Sequence, residues 1–499
     1  MPSAINVRVV SRCFALLGAT ALLFAGTSAP AQIPLTQLST DTFTNSTSEH
    51  ATEVEPASYA HGNTVVTTFQ VGRFSDGGAS DIGFSTSTNG GATWTEGYMP
   101  GITSIQGTGP YERATDTSVV YNNKYKLWLV GSLAVSSSGG VHGQAVLVSS
   151  STNGITWNNP SIVSTVEAGG YYDKPWIGCD NTSTSPYYGN CYMEWDDYSL
   201  GDQITLSSST DGGTTWSAKQ QTGGKAYGTG GIPLVQPNGT VIVPIGNQYL
   251  SDVLAFTSTN GGSSWTAPIT VTSISEHTVE GNMRALPLIA AQMDAAGTVY
   301  VVWADCRFRS GCSSNDLVMT TSTDGTTWSA VSRIPIDAVT STFDHFTPGF
   351  AIEPGTSGST AKLALTYNFF PNDKCTSACN LSVGYIASSN GGSTWGTART
   401  LDKGMNPTWL PSTTQGYMAA DYQTSVYVDG KVHGVFPVAK ANAGTTYNQA
   451  MNTNTTGLAE AIEAAEKGPQ FSSKNDKPVP GVRSQVHRTR PHRDDGDDE

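Results

Sequence analysis

The stretch S-T-D-G-G-T-T-W, Ser209 to Trp216, decides how this chain is read, because close copies of it return five more times. They are S-T-N-G-G-A-T-W (Ser87 to Trp94), S-T-N-G-I-T-W (Ser151 to Trp157), S-T-N-G-G-S-S-W (Ser258 to Trp265), S-T-D-G-T-T-W (Ser322 to Trp328) and S-S-N-G-G-S-T-W (Ser388 to Trp395). The tryptophans lie 63, 59, 49, 63 and 67 positions apart. One motif at a period near sixty signals an array of similar units. Its chemistry is that of a turn: Asn or Asp in the third place can bond the backbone two residues on, and glycine accepts positive φ. Trp then anchors the turn by burying a large ring. Two copies are one residue shorter, which a turn tolerates more easily than a catalytic geometry would.

Around each turn the pattern is constant. The fifth unit reads A-L-P-L-I-A-A-Q-M, then D-A-A-G, then T-V-Y-V-V-W, then D-L-V-M-T-T into the motif, then a last run around S-A-V-S-R-I-P. That is a four-stranded antiparallel meander. Such meanders, repeated and each unable to bury both faces alone, close into a β-propeller. An all-β chain also suits the composition: 54 glycines, 20 tyrosines and 11 tryptophans with only 13% charged residues.

The ends are different in kind. Arg8 and Arg12 precede the apolar run F-A-L-L-G-A-T-A-L-L-F-A-G, and Ala29-Pro30-Ala31 offers an A-x-A cleavage site. Residues 1–31 therefore read as a secretory signal peptide, too short in its apolar part for a membrane span of roughly 20 residues. Its removal takes away two arginines and no acid, moving the formal charge from −14 to −16. So acidic a chain is a poor nucleic-acid binder. The chain reads as secreted, extracellular or periplasmic, with no membrane span. Cys13 leaves with the leader, and the other six cysteines form three close couples, Cys179 with Cys191, Cys306 with Cys312 and Cys375 with Cys379. In an exported chain these read as disulfides rather than metal ligands. Residues 32–455 are expected to form the repeat body. After it, L-A-E-A-I-E-A-A-E-K could make a short helix, while residues 456–499 as a whole have the charged composition of a disordered tail.

The motif resembles the Asp-box, or BNR repeat, of the sialidase superfamily, and the resemblance covers roughly residues 45–440. It implies a sialidase-like β-propeller in which the six Asp-box turns join third to fourth strands on the face away from the active site. The blade count stays open between six and seven. Six units carry the turn, and a seventh without it follows at Asp421 to Ala439, where the early segment P-L-T-Q-L-S-T-D-T-F-T could supply a missing fourth strand. The resemblance itself implies six.

In a propeller the first strands line the channel, so ligands meet the entrances of those strands. Here the entrances carry Glu53 and Glu55; Arg113 and Asp116; Asp173, Lys174 and Trp176; the glycine run G-T-G-G-I-P; Glu280 and Arg284; Asp344 and His345; and Asp421 with Tyr422. If these converge they make a polar, pKa-perturbing pocket. Each is equally able to serve as a structural ion pair stitching neighbouring units.

The resemblance to sialidases implies three arginines around a carboxylate, a Tyr nucleophile helped by a Glu, and an Asp as acid/base. The match is incomplete. The family's F-R-I-P motif puts an arginine on the first strand, which reads T-E-V-E-P-A-S-Y here, and the R-I-P at Arg333 to Pro335 falls on an outer fourth strand, as a surface coincidence. Residue by residue, the expected roles are Asp116, Asp173 or Asp344 as acid/base, Glu280 as base and Tyr422 as nucleophile, with Tyr171 or Tyr172 in second place. Arg284, Arg113 and Arg73 are the expected anion clamp, with Arg307 or Arg309 able to join it, and Lys174, His345 and Asp421 assist substrate binding. The expected function is an exo-glycosidase, sialidase-like, acting as a monomer on an extracellular glycan or glycoconjugate without metal or cofactor. Two alternatives stand beside it: a non-catalytic propeller that binds glycans or proteins, and an Asp-box hydrolase of a neutral polysaccharide.

Overall fold

The structure is a computed structural model that describes residues 32–107, 109–138, 140–375 and 379–459, parts of 471–484, and residues 1, 3 and 4. Most of the signal peptide read at 1–31 and most of the stretch from Leu458 read as a short helix lie outside the described residues. Of two compact units, Met1–Gln32 and Ile33–Glu499, the second carries every described strand.

Within it the chain runs as successive antiparallel groups. In the first, Glu49–His61, Thr64–Arg73, Ala79–Ser87 and Thr95–Tyr98 pair in chain order. Five more groups of the same kind follow. They open on Arg113–Asn122, on Tyr172–Cys179, on the divided pair Gly228–Thr229 and Leu234–Val235, on Ala290–Met293 and on Asp344–Ile352. A last group, Thr424–Val428, Lys431–Ala439 and Gln449–Asn454, receives the N-terminal strand Leu35–Gln37 against its third strand, Leu35 facing Asn454. The opening strand of each group touches that of the next, and Thr424–Val428 touches Glu49–His61. Hydrogen bonding is not continuous around this circuit: the strands fall into separate sheets.

Apolar side chains fill the spaces between neighbouring groups. Trp128 and Val130 face Ile82 and Phe84 of the first group, whereas Leu129, between them, faces Ile177 and Met193 of the third. The two-residue alternation of a strand thus sends side chains to a different neighbour at each step. Cys179–Cys191, Cys306–Cys312 and Cys375–Cys379 are bonded as disulfides, each pinning a short loop.

The repeated turns share one hydrogen-bond pattern. Ser258 Oγ accepts from Gly262 N at 3.0 Å and Asn260 Oδ1 accepts from Ser264 N at 3.0 Å; Ser209 and Asp211 repeat both bonds with Gly213 and Thr215 at 2.9 Å. Each turn links the third strand of a group to the fourth. Trp265 is buried with its ring 5.8 Å from Phe256 of its own group and 6.2 Å from Tyr192 of the preceding one, so the turn also clamps two sheets together.

Part of the C-terminal segment lies on this body. Val479 N donates to Arg307 O at 2.8 Å, Asp476 pairs with Arg333 at 3.3 Å, and Ser484 Oγ donates to Glu276 O at 3.2 Å.

Truncating Trp265 to alanine is expected to cost about 3–5 kcal/mol, the usual loss for a buried tryptophan. The half-buried Trp216 should cost clearly less. Urea midpoints of the two variants, at unchanged m value, check the order.

Candidate functional site

The opening strands share a local irregularity. Pairing register shifts between Val54 and Ala57, between Thr115 and Ser118, between Asp173 and Trp176, and between Phe346 and Gly349. At these bulges Glu55, Asp116, Lys174 and Thr347 adopt left-handed backbone, with φ of 55°, 44°, 45° and 48°. Gly230 takes φ 70° in the fourth group, where the opening strand divides. A non-glycine residue there costs about 1–3 kcal/mol and re-aims its side chain, a device common beside functional sites. Pro56, Pro175 and Pro348 directly follow three of these residues, as suits a bulge that needs no N–H in the ladder.

Two of these bulge residues, Asp116 and Lys174, meet charged residues that lie outside the strands. Asp421 is fully buried and accepts from Arg284 Nε at 2.8 Å, from Arg284 Nη2 at 2.6 Å and from Lys174 Nζ at 3.2 Å. Lys174 Nζ also lies 3.7 Å from Asp116 Oδ1, to which the Tyr422 hydroxyl donates at 3.4 Å. The Tyr422 ring is held edge-on against Trp176, centroids 5.5 Å apart. Behind Asp116, Gln70 Nε2 donates to Glu55 and, at 2.7 Å, to Thr115, while Arg73 Nη1 donates to Gln70 Oε1 at 3.1 Å.

Two cavities meet at this cluster. One, of about 730 Å³, is lined by Glu55, Asp116, Tyr171, Tyr172, Asp173, Lys174, Asp202, Gln248 and Arg284, with His142 and Thr229. The other, of about 630 Å³, shares Asp116 and Lys174 and is otherwise mostly apolar, bordered by Trp176, Ile232, Leu288, Phe350 and Tyr422.

Burial, reinforced by Asp116 and Asp421, pushes the Glu55 carboxyl up to about 8. Burial also raises Asp116, to about 6; Lys174 opposes that rise, and Asp173, which hydrogen-bonds Asp116, adds to it. Burial alone would raise Asp421, but Arg284 and Lys174 outweigh it and hold this carboxyl well below the usual range. For the Tyr422 phenol, burial and then Glu55 and Asp116 push ionisation well upward.

The structure therefore gathers Asp116, Asp173, Lys174, Arg284, Asp421 and Tyr422 at one place, with Arg73 in its back wall. Tyr171 and Tyr172 line the first cavity, but their hydroxyls donate to Val141 O and Thr165 O. Arg113 stands behind Gly77 and Gly78, with Nη1 donating to Asp76 at 2.7 Å and to Gly77 O at 2.7 Å. Glu280 borders neither cavity, and the acid within reach of Tyr422 is Asp116. Glu53 is buried and also borders neither.

Asp344 and His345 lie elsewhere, because the residue at the bulge of their strand is Thr347, three and two positions on. Asp344 accepts from Asn315 N at 2.7 Å and lies 3.5 Å from His277. His345 sits in a buried network in which Arg309 pairs with Asp316 and with Asp337 at 2.8 Å, and Arg333 pairs with Asp316 at 2.9 Å and Asp337 at 2.7 Å. Arg333 is thus on the outer fourth strand, as its place after the turn indicates, but its side chain is buried and does not lie on the surface. Arg307 is paired with Asp305 at 2.7 Å. Asp316, Asp337 and His345 are spaced closely enough to resemble a metal-binding set. Two guanidinium groups already neutralise both carboxylates, so the donor set does not suit a cation.

No family model matches this chain, and no curated protein matches its sequence. Among solved structures it is similar to an ulvan lyase, a polysaccharide lyase, at 9% identity over 86% of this chain and 96% of that one, TM-score 0.48. It is similar to the NanB sialidase of Streptococcus pneumoniae at 12% identity over 84% and 70%, TM-score 0.40. A third likeness is to the intramolecular trans-sialidase of Ruminococcus gnavus, at 13% identity over 85% and 97%, TM-score 0.40. No described helix is long and apolar enough to cross a membrane.

Because Glu55 is held protonated, the folded state binds this proton more tightly than an unfolded chain, whose glutamates titrate near 4.5. The contribution of Glu55 to stability is then greatest below about 4.5 and declines as pH rises toward about 8. Glu55→Gln is expected to flatten that decline. Melting temperatures of wild type and variant at steps from pH 4.5 to 8 check it.

Proposed function

We propose that this chain is a secreted, carbohydrate-active β-propeller of seven blades that hydrolyses a neutral extracellular glycan at the cavity around Asp116. Residues 1–31 are its leader, 32–455 the propeller with its six Asp-box turns, and 456–499 a charged tail. The observation that carries the activity is the contact of the Tyr422 hydroxyl with Asp116, an acid that shares a hydrogen bond with Asp173 and borders both cavities. A nucleophile within reach of a base that other groups orient is the arrangement covalent catalysis needs.

The Asp116–Asp173 couple holds one proton below about pH 6. It can yield that proton to the departing glycosidic oxygen and accept the phenolic proton as Tyr422 oxygen bonds to the anomeric carbon. Water then attacks the same carbon and passes a proton to the couple, which returns one to Tyr422. Lys174, beside Asp116, stabilises the couple's charge in both steps.

A neutral reacting sugar fits better than an anionic one. Arg113 is committed to Asp76 and Arg284 to Asp421, so neither offers a carboxylate the two-pronged contact that guanidinium recognition uses. Acids dominate the charged wall instead.

Release of reducing ends from laminarin, xyloglucan, glucomannan and hydroxyethylcellulose tests the proposal. Cleavage of at least one is expected, lowered about 10²–10⁴-fold in Asp116→Asn, the usual range for losing an acid/base. Tyr422→Phe should abolish it. The rate should fall as pH rises above about 6, where Asp116 gives up its proton. Cleavage indifferent to both variants would place the chemistry elsewhere, and cleavage of sialosides alone would overturn the neutral-sugar reading.

A further inference from the structure

One wall of the 730 Å³ cavity continues outward as a run of aromatic rings. His142 and Tyr171 line the cavity with ring centroids 5.9 Å apart, and Tyr198 meets Tyr171 edge-on at 5.3 Å. Tyr198 N donates to Tyr171 O at 2.7 Å, which holds the second ring beside the first. Beyond them Gly201, at φ 86°, lets the chain pass close under Tyr227, whose ring carbons lie 3.7 Å from where a side chain would begin.

Exposure marks the same wall. Large apolar side chains exposed to solvent are few among the described residues, and Leu200, Tyr227 and Tyr249 are 54%, 39% and 44% exposed. Each stands one or two positions from a residue lining the cavity: Asp202, Thr229 and Gln248. Exposed apolar surface rimmed by polar residues at a pocket's edge is a mark of a ligand-binding groove. Their neighbours here are acceptors, Asp173 and Asp202 among them.

We infer that this wall binds a polysaccharide chain over several sugars, with Tyr198, Tyr227 and Tyr249 stacking against successive rings outside the reacting one. A pyranose presents C–H groups on its faces and hydroxyls around its edge. Flat aromatic faces beside carboxylate acceptors match both parts at once, and tyrosine offers that area at little entropic cost. A peptide partner would not need acceptors beside the rings, and a polyanion would be repelled by Asp173 and Asp202. The inference rests on the cavity being a glycan site and deepens it: the substrate is a polymer, gripped beyond its end.

The test uses Asp116→Asn, so that binding is read with turnover suppressed. Electrophoresis of this variant through gels containing each of the four polysaccharides of the cleavage assay should show retardation by at least one. Adding Tyr227→Ala and Tyr249→Ala should weaken that retardation at least tenfold, and adding Tyr227→Phe and Tyr249→Phe should keep it. Retardation that survives the alanine changes overturns the inference, as does the absence of retardation in all four gels. Retardation lost with alanine and kept with phenylalanine supports the wall even if the wild type cleaves nothing, in which case only the hydrolytic reading fails.

Discussion

Asp421 holds the centre of this molecule together. Arg284 grips it with two nitrogens and Lys174 with a third, and these three residues come from stretches far apart in the chain. A carboxylate taken fully out of water is tolerated only when paired and hydrogen-bonded, and stripping a partner from such a pair typically costs about 3–5 kcal/mol. The opening strand that carries Lys174 is therefore tied, at one charged point, to the segments that lead into the opening strands of the fifth and last groups. That tie also settles which cations are left for a ligand, because the guanidinium best placed in the cavity is already committed.

Around this point the acids are in excess, and the fold sets them to different tasks. Asp421 stays ionised between two cations. Glu55 is driven neutral by burial and serves as an acceptor for Gln70 behind the cavity. Asp116 lies between these extremes, near 6, with an acid neighbour and a phenol in contact. Carboxyls whose environments separate their titrations are the usual basis for dividing acid and base roles. The buried Arg309, Arg333, Asp316 and Asp337 form the contrasting case: equally charged, paired with one another, bordering neither of the two cavities, and suited to hold strands together.

Much of the candidate site was legible because acids and bases are scarce in this chain and collect near the opening strands. That Asp344 and His345 border neither cavity has a specific cause. Counting from a strand's entrance ignores the extra residue of a bulge, and at three of the four bulges the bulge residue, Glu55, Asp116 or Lys174, lines the cavity. The signal was in the sequence as Glu55-Pro56, Lys174-Pro175 and Thr347-Pro348, prolines inside otherwise regular strands. Glu280 failed differently: its spacing from Arg284 looked meaningful, yet the loop carrying both sends only the arginine to the cavity.

By itself the sequence determined the strands, the six turns, the pairing of the cysteines and the all-β class. These follow from local rules: alternation along a strand, glycine where φ is positive, tryptophan where a turn must be anchored. Only the tertiary structure decided which charges meet, that the arginines are spent on Asp76 and Asp421, and that one wall of the cavity is aromatic. Such choices depend on distances between residues hundreds of positions apart, and on the low polarisability of the buried space between them. No short stretch of sequence encodes either.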